Sequence, residues 1–135
     1  MIQLLISIIL YCLSGALDAF MDTIKDHYSV SKFKNYNPYF WCPAVSWKNK
    51  YIDNNPSKGH RTFTVFGIKF NYPDALTDAW HIAKIFREGC NILAIVVAFT
   101  IQYRTTHIEV FIALIVLFGV FRNLCFNLFY NKILV

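Results

Sequence analysis

The stretch "DALTDAWHIAKIFREGCNILAIVVAF", residues 74–99, starts as a charged amphipathic helix and ends as an apolar one. Asp78, His81, Lys84 and Glu88 recur in it every three or four residues, a spacing that sets side chains on one side of a helix. From Gly89 to Tyr103 no charge follows. A helix that carries an acid, a base and a cation up to the edge of an apolar run reads as one entering a membrane, with its polar groups at the boundary.

Two other runs share this character. Residues 1–17 carry no charge and reach about 25 Å as a helix, or about 30 Å if continued to Phe20. Residues 108–130 form another apolar run, broken only by Glu109 and Arg122. The segment "RTTH", residues 104–107, is short enough to make the second and third helices antiparallel neighbours. The expected architecture is therefore an all-α membrane protein with three transmembrane helices, at about residues 2–20, 84–103 and 108–130. No basic residue precedes the first run, which favours an uncleaved membrane helix over a signal peptide.

Composition supports the same class. Of 135 residues, 56% are hydrophobic and 16% charged, and mean hydropathy is +0.41. A soluble domain of this size has too little interior for so many apolar side chains, so the excess must face lipid or a partner. The length suits one domain. Ten of the thirteen Lys and Arg residues lie between positions 25 and 87, and only Arg104 falls at the opposite end of the spans. The positive-inside rule then places the long loop and the C-terminus in the cytoplasm and the N-terminus outside, in the cytoplasmic (inner) membrane. The basic loop would meet anionic lipid head groups. Nucleic acid is not the expected partner, because the basic residues are dispersed among aromatic and apolar ones. The four cysteines form no CxxC pair, which argues against a structural zinc site.

The loop, about residues 23–73, does not have the composition of a tether. "NYNPYFWCPAVSWKNKY", residues 35–51, holds Tyr36, Tyr39, Phe40, Trp41, Trp47 and Tyr51, side chains that favour the lipid–water boundary. Pro38 and Pro43 exclude a continuous helix through it. "NNPSKGH" is a turn cluster, and "RTFTVFGIKFNY" alternates in the manner of a short strand pair around Gly67. An ordered, aromatic-rich cytoplasmic loop containing a short β-hairpin is expected.

The segments "NPYFWCPAVSWKNKY" and "TDAWHIAK" resemble those of a family of small bacterial integral-membrane proteins with an Asn-Pro-x-Phe-Trp…Ser-Trp-Lys-Asn-Lys loop. The resemblance covers about half of the chain. It implies a membrane protein with an ordered loop and implies no activity.

A polar cluster is expected at the cytoplasmic boundary. Asp18, Asp22 and Asp26 are spaced i, i+4, i+8 at the end of the first run, where neighbouring like charges repel. Asp78, His81, Lys84, Glu88 and Arg122 fall at the same depth of the other two helices, and ionisable groups there turn inward and pair. His81 and Lys84 are the expected partners of Asp18 and Asp22. Asp78 three residues before His81 has the carboxylate-x-x-His spacing that supplies two metal ligands from one helix.

Two classes of function follow. In one, Asp18, Asp22, Asp78 and His81 hold a divalent metal, and Asp18, Asp22 and His81 carry a hydrolytic reaction on a lipid or phosphorylated head group gripped by Lys84, Arg87 and Arg122. In the other, the cluster is an ion-pair network in a non-catalytic accessory or scaffolding subunit that associates with another membrane protein. A third possibility, a homo-oligomeric pore or effector, is disfavoured by the lack of a polar stripe through the second and third helices. Asp78 at a helix start, Lys84 with Glu88 at i, i+4, and Arg122 reaching to head groups each have a purely structural reading. The chain contains no HExxH, GxSxG or P-loop.

Overall fold

A computed structural model describes residues 2–105 and 108–134. Three long helices dominate it: α1, Ile2–Asp26; α4, Ala79–Thr105; and α5, Ile108–Leu128. Between α1 and α4 lie two short helices, α2 (Pro38–Trp41) and α3 (Pro43–Ser46), a series of 3₁₀ turns, and the strands β1 (Thr62–Val65) and β2 (Ile68–Asn71). A π-helical segment, Phe129–Leu134, continues α5.

Helix α1 is the central element. It runs antiparallel to α4, since Ser7 meets Ala94 while Asp18 meets Arg87. It runs parallel to α5, since Tyr11 stacks on Phe118 while Asp18 meets Arg122. The C-terminal end of α1, the start of α4, the end of α5 and the long loop therefore share one end of the bundle. Lys32 N–H donates to the Leu134 carbonyl at 3.1 Å, and the His27 and Tyr130 rings sit 5.7 Å apart, tying the loop to the C-terminal segment.

Small side chains fill much of the helix interfaces, joined by the buried Met21, Ile24 and Phe118, while many large apolar ones face outward. Ser7, Ser14, Gly15, Ala19 and Thr23 are buried on α1, as are Ala79, Ala83, Ala94 and Ala98 on α4. Leu5, Ile9 and Leu13 of α1, Ile92, Leu93, Val96 and Phe99 of α4, and Ile112, Ile115, Val116 and Leu124 of α5 are exposed. A water-soluble bundle buries its large apolar residues, whereas membrane helices associate by close backbone approach at small ones. At Gly15 the approach leaves no room for a side chain: an added Cβ would collide with the Arg122 carbonyl oxygen and lie 3.0 Å from the Arg122 carbonyl carbon and 3.2 Å from Phe126 N.

Among the described residues, two helices are long and apolar enough to cross a membrane, α1 and the stretch Ile108–Leu134. The expected second span, residues 84–103, lies in α4, which is not one of the two. That helix carries Lys84, Arg87 and Glu88 in its first turns, and they shorten its apolar run. The helix continues through Thr105, so the expected turn at 104–107 is narrowed, and positions 106 and 107 lie outside the described residues.

The loop is ordered by its own aromatic residues. Trp41 stacks on Phe33 (5.3 Å between centroids) and meets Tyr36, Phe40 and Phe20 of α1 edge-on. The two prolines that exclude a long helix open two short ones, each occupying a first-turn position where no N–H is needed. The expected hairpin is present. Phe63 pairs with Phe70 and Val65 with Ile68, around a turn in which Phe66 (φ 50°) and Gly67 (φ 78°) are both left-handed. That conformation matches the twist of a two-residue hairpin and is natural to Gly67 but not to Phe66.

Candidate functional site

At the loop end of the bundle, Asp18 lies between two arginines from two other helices. Arg87 Nη1 of α4 donates to Asp18 Oδ1 at 2.9 Å, and Arg122 Nη2 of α5 donates to Asp18 Oδ2. Arg122 Nε reaches Ser14 Oγ at 3.4 Å, one helical turn before Asp18. Arg87 also pairs with its neighbour Glu88 through Nη2, while its Nε is buried with no partner among the described residues. The Asp18 side chain is only 15% exposed. One carboxylate thus joins all three long helices by charge-assisted hydrogen bonds, the strongest kind available here. The geometry follows from packing: contact at Gly15 brings α5 close enough for Arg122 to reach back along α1.

Asp22 lies a turn beyond Asp18. It lines an open cavity of about 240 Å³ with Asp18, Arg122, Asn123 and Phe126. Two acids, a base, an amide and an aromatic ring thus line it.

His81 and Lys84, the partners expected for the aspartate row, are engaged elsewhere. Asp78, with 1% of its side chain exposed, is the residue just before α4, and its Oδ1 accepts the backbone N–H of His81 at 2.9 Å. This is an N-cap, so Asp78 itself closes the start of α4. The His81 ring lies on the same carboxylate, with Nδ1 2.9 Å from Oδ1 and 3.0 Å from Oδ2. Thr77 Oγ1 donates to the Asp74 carbonyl at 2.6 Å, and Asn49 Nδ2 donates to the Thr77 carbonyl at 3.0 Å, so the cap is also held from the loop. Lys84 lies over the Trp80 ring, 5.3 Å from its centroid, and Glu88 bonds Arg87 rather than Lys84. His81, Lys84 and Glu88 border a second open groove of about 470 Å³ whose remaining walls, including Ile85 and Ile92, are apolar.

Asp18, Arg87 and Arg122 therefore come together, with Asp22 beside them. Asp78 and His81 form a separate pair. Among the described residues no three His, Cys, Asp or Glu side chains converge as a metal-ligand set. Arg87, expected from the sequence only as a head-group contact, is instead the α4 partner of Asp18, one turn deeper than Lys84. Gly15, Ala19 and Thr23, small residues at every fourth position, marked the packing face. No family model, no curated protein and no solved structure matches this chain.

Proposed function

We propose that this chain is a three-span protein of the cytoplasmic membrane that acts as a scaffolding or accessory subunit, with Arg87, Asp18 and Arg122 fixing the order of its helices. The observation that carries the reading is the full engagement of Asp18: each carboxylate oxygen is taken by a guanidinium from a different helix. A carboxylate so neutralised serves packing, since charges bordering lipid are costly unless paired. The outward display of Ile92, Leu93, Val96 and Phe99 supports α4 as the third span. The basic loop supports an orientation with the N-terminus outside. The broad apolar exterior of the bundle suits a neighbouring membrane protein as partner.

One observation favours a second reading, a metal-dependent enzyme acting on a lipid or phosphorylated head group. The cavity beside Asp22 is open and carries Arg122, a cation suited to a phosphate. Elemental analysis of the purified protein separates the two readings. The scaffold reading expects less than stoichiometric divalent metal and one membrane-protein partner retained in fixed ratio through purification. It also expects Asp18→Ala, which strands the two guanidiniums, to loosen the helices and to lose that partner. Stoichiometric metal that is lost in Asp22→Asn would overturn it in favour of the enzyme, and a large metal-free homo-oligomer would favour a pore.

A further inference from the structure

The hairpin has two unlike faces. Strand register puts Phe63, Val65, Ile68 and Phe70 on one side and Thr62, Thr64, Lys69 and Asn71 on the other. Every residue of both strands is exposed, including the stacked pair Phe63 and Phe70, whose centroids are 5.7 Å apart. A lone two-stranded hairpin is marginal in water, and Phe63, Val65, Ile68 and Phe70 all stay exposed on its apolar side. At its tip Phe66 is 100% exposed and holds a left-handed backbone that Asn or Gly would adopt without strain. A bulky apolar residue kept in that position is placed for what it touches outside the chain.

We propose that this hairpin dips its tip and apolar face into the head-group layer of an anionic bilayer, a second attachment besides the long helices. The proposal rests on the membrane reading above and not on the scaffold role. Charge selects lipid as the occupant. Residues 48–72 contain five basic side chains, Lys48, Lys50, Lys58, Arg61 and Lys69, against one acid, Asp53. Lys69 stands on the polar face of β2, where it can reach phosphates flanking the inserted tip. Position agrees as well. Arg61 N–H donates to the Lys50 carbonyl at 2.8 Å, Tyr72 N–H donates to the Arg61 carbonyl at 2.7 Å, and Lys50 bonds Asp74 at 3.2 Å. The hairpin is thereby rooted beside the start of α4, at the end of the bundle where the charged residues gather.

Spin labels read the depth directly. Full-length protein carrying Cys12→Ala, Cys42→Ala, Cys90→Ala and Cys125→Ala is labelled in turn at Phe66→Cys, Thr64→Cys and Leu93→Cys. It is then reconstituted into phosphatidylglycerol or phosphatidylcholine vesicles. In phosphatidylglycerol, the label at 66 should collide several-fold more with oxygen, and less with a water-soluble nickel chelate, than the label at 64. Adding Arg61→Glu and Lys69→Glu should return position 66 to water. A label at 66 that stays water-accessible in phosphatidylglycerol overturns the proposal, as does dipolar coupling between labels at 66, which would assign the face to a second copy. Leu93 distinguishes the failures: lipid access at 93 without it at 66 sinks the hairpin alone, whereas loss at both sinks the three-span reading.

Discussion

Asp18 and Arg87, 69 positions apart in sequence, form a 2.9 Å ion pair that closes α1 onto α4, and the same carboxylate holds Arg122 of α5. Removing the acid leaves two guanidiniums facing each other at the loop end of the bundle. Removing all three charges leaves, among the described residues here, no buried ion without a partner except Asp22, since Glu88 stays half exposed to solvent.

Asp18→Ala should therefore cost about 3 kcal/mol, the lower end for a broken buried pair, because Arg122 is partly exposed. The combined variant Asp18→Asn, Arg87→Met, Arg122→Met should recover most of that loss. Denaturant unfolding in micelles, followed by helical ellipticity, measures both. A combined variant as unstable as the single one would show that the charges themselves, not their balance, hold the bundle.

Gly15→Ala should cost roughly 1–3 kcal/mol, since the new methyl meets α5 backbone that cannot rotate away. Gly119→Ala, where an added Cβ finds open space, should be neutral or gain up to about 1 kcal/mol from helix propensity. Denaturant unfolding in micelles checks the contrast: equal losses in the two variants would contradict the close approach at Gly15.

Asp78→Ala should lose the cap of α4 at a cost of about 1 kcal/mol, with Asp78→Asn or Asp78→Ser largely spared. Amide exchange should accelerate locally at the first turn, Ala79 to Ile82, and not deeper in the helix. Uniformly faster exchange along α4 would mean that Asp78 does more than cap.

Trp41→Ala should loosen the loop, because four aromatic partners lose their common contact; a cost of about 2–3 kcal/mol is expected, somewhat below a fully buried site. Trp47→Ala, more exposed and in contact chiefly with Tyr51, should cost less than about 1 kcal/mol. Limited proteolysis within residues 27–73 checks the contrast: the first variant should be cut faster than the parent, the second at the parent's rate.

The sequence by itself determined the features that repeat locally. Apolar runs marked α1 and α5, Pro38 and Pro43 broke the loop into short helices, and Gly67 between alternating residues marked the hairpin. These depend on side-chain periodicity and on the backbone limits of single residues, which need no knowledge of neighbours in space. The depth of the polar level was legible too, because helical rise fixes how far Asp18 and Arg122 stand from the ends of their helices. Tertiary structure alone decided which cations meet Asp18. His81 and Lys84 were the nearer candidates by charge count, yet His81 is drawn back onto the Asp78 cap and Lys84 lies over Trp80. The choice turns on the rotation of each helix about its own axis, and that rotation is set by where Gly15, Ala19, Ala83 and Ala94 let backbones touch. Small residues carry little signal one by one, and only their joint fit across two helices selects the face that turns inward.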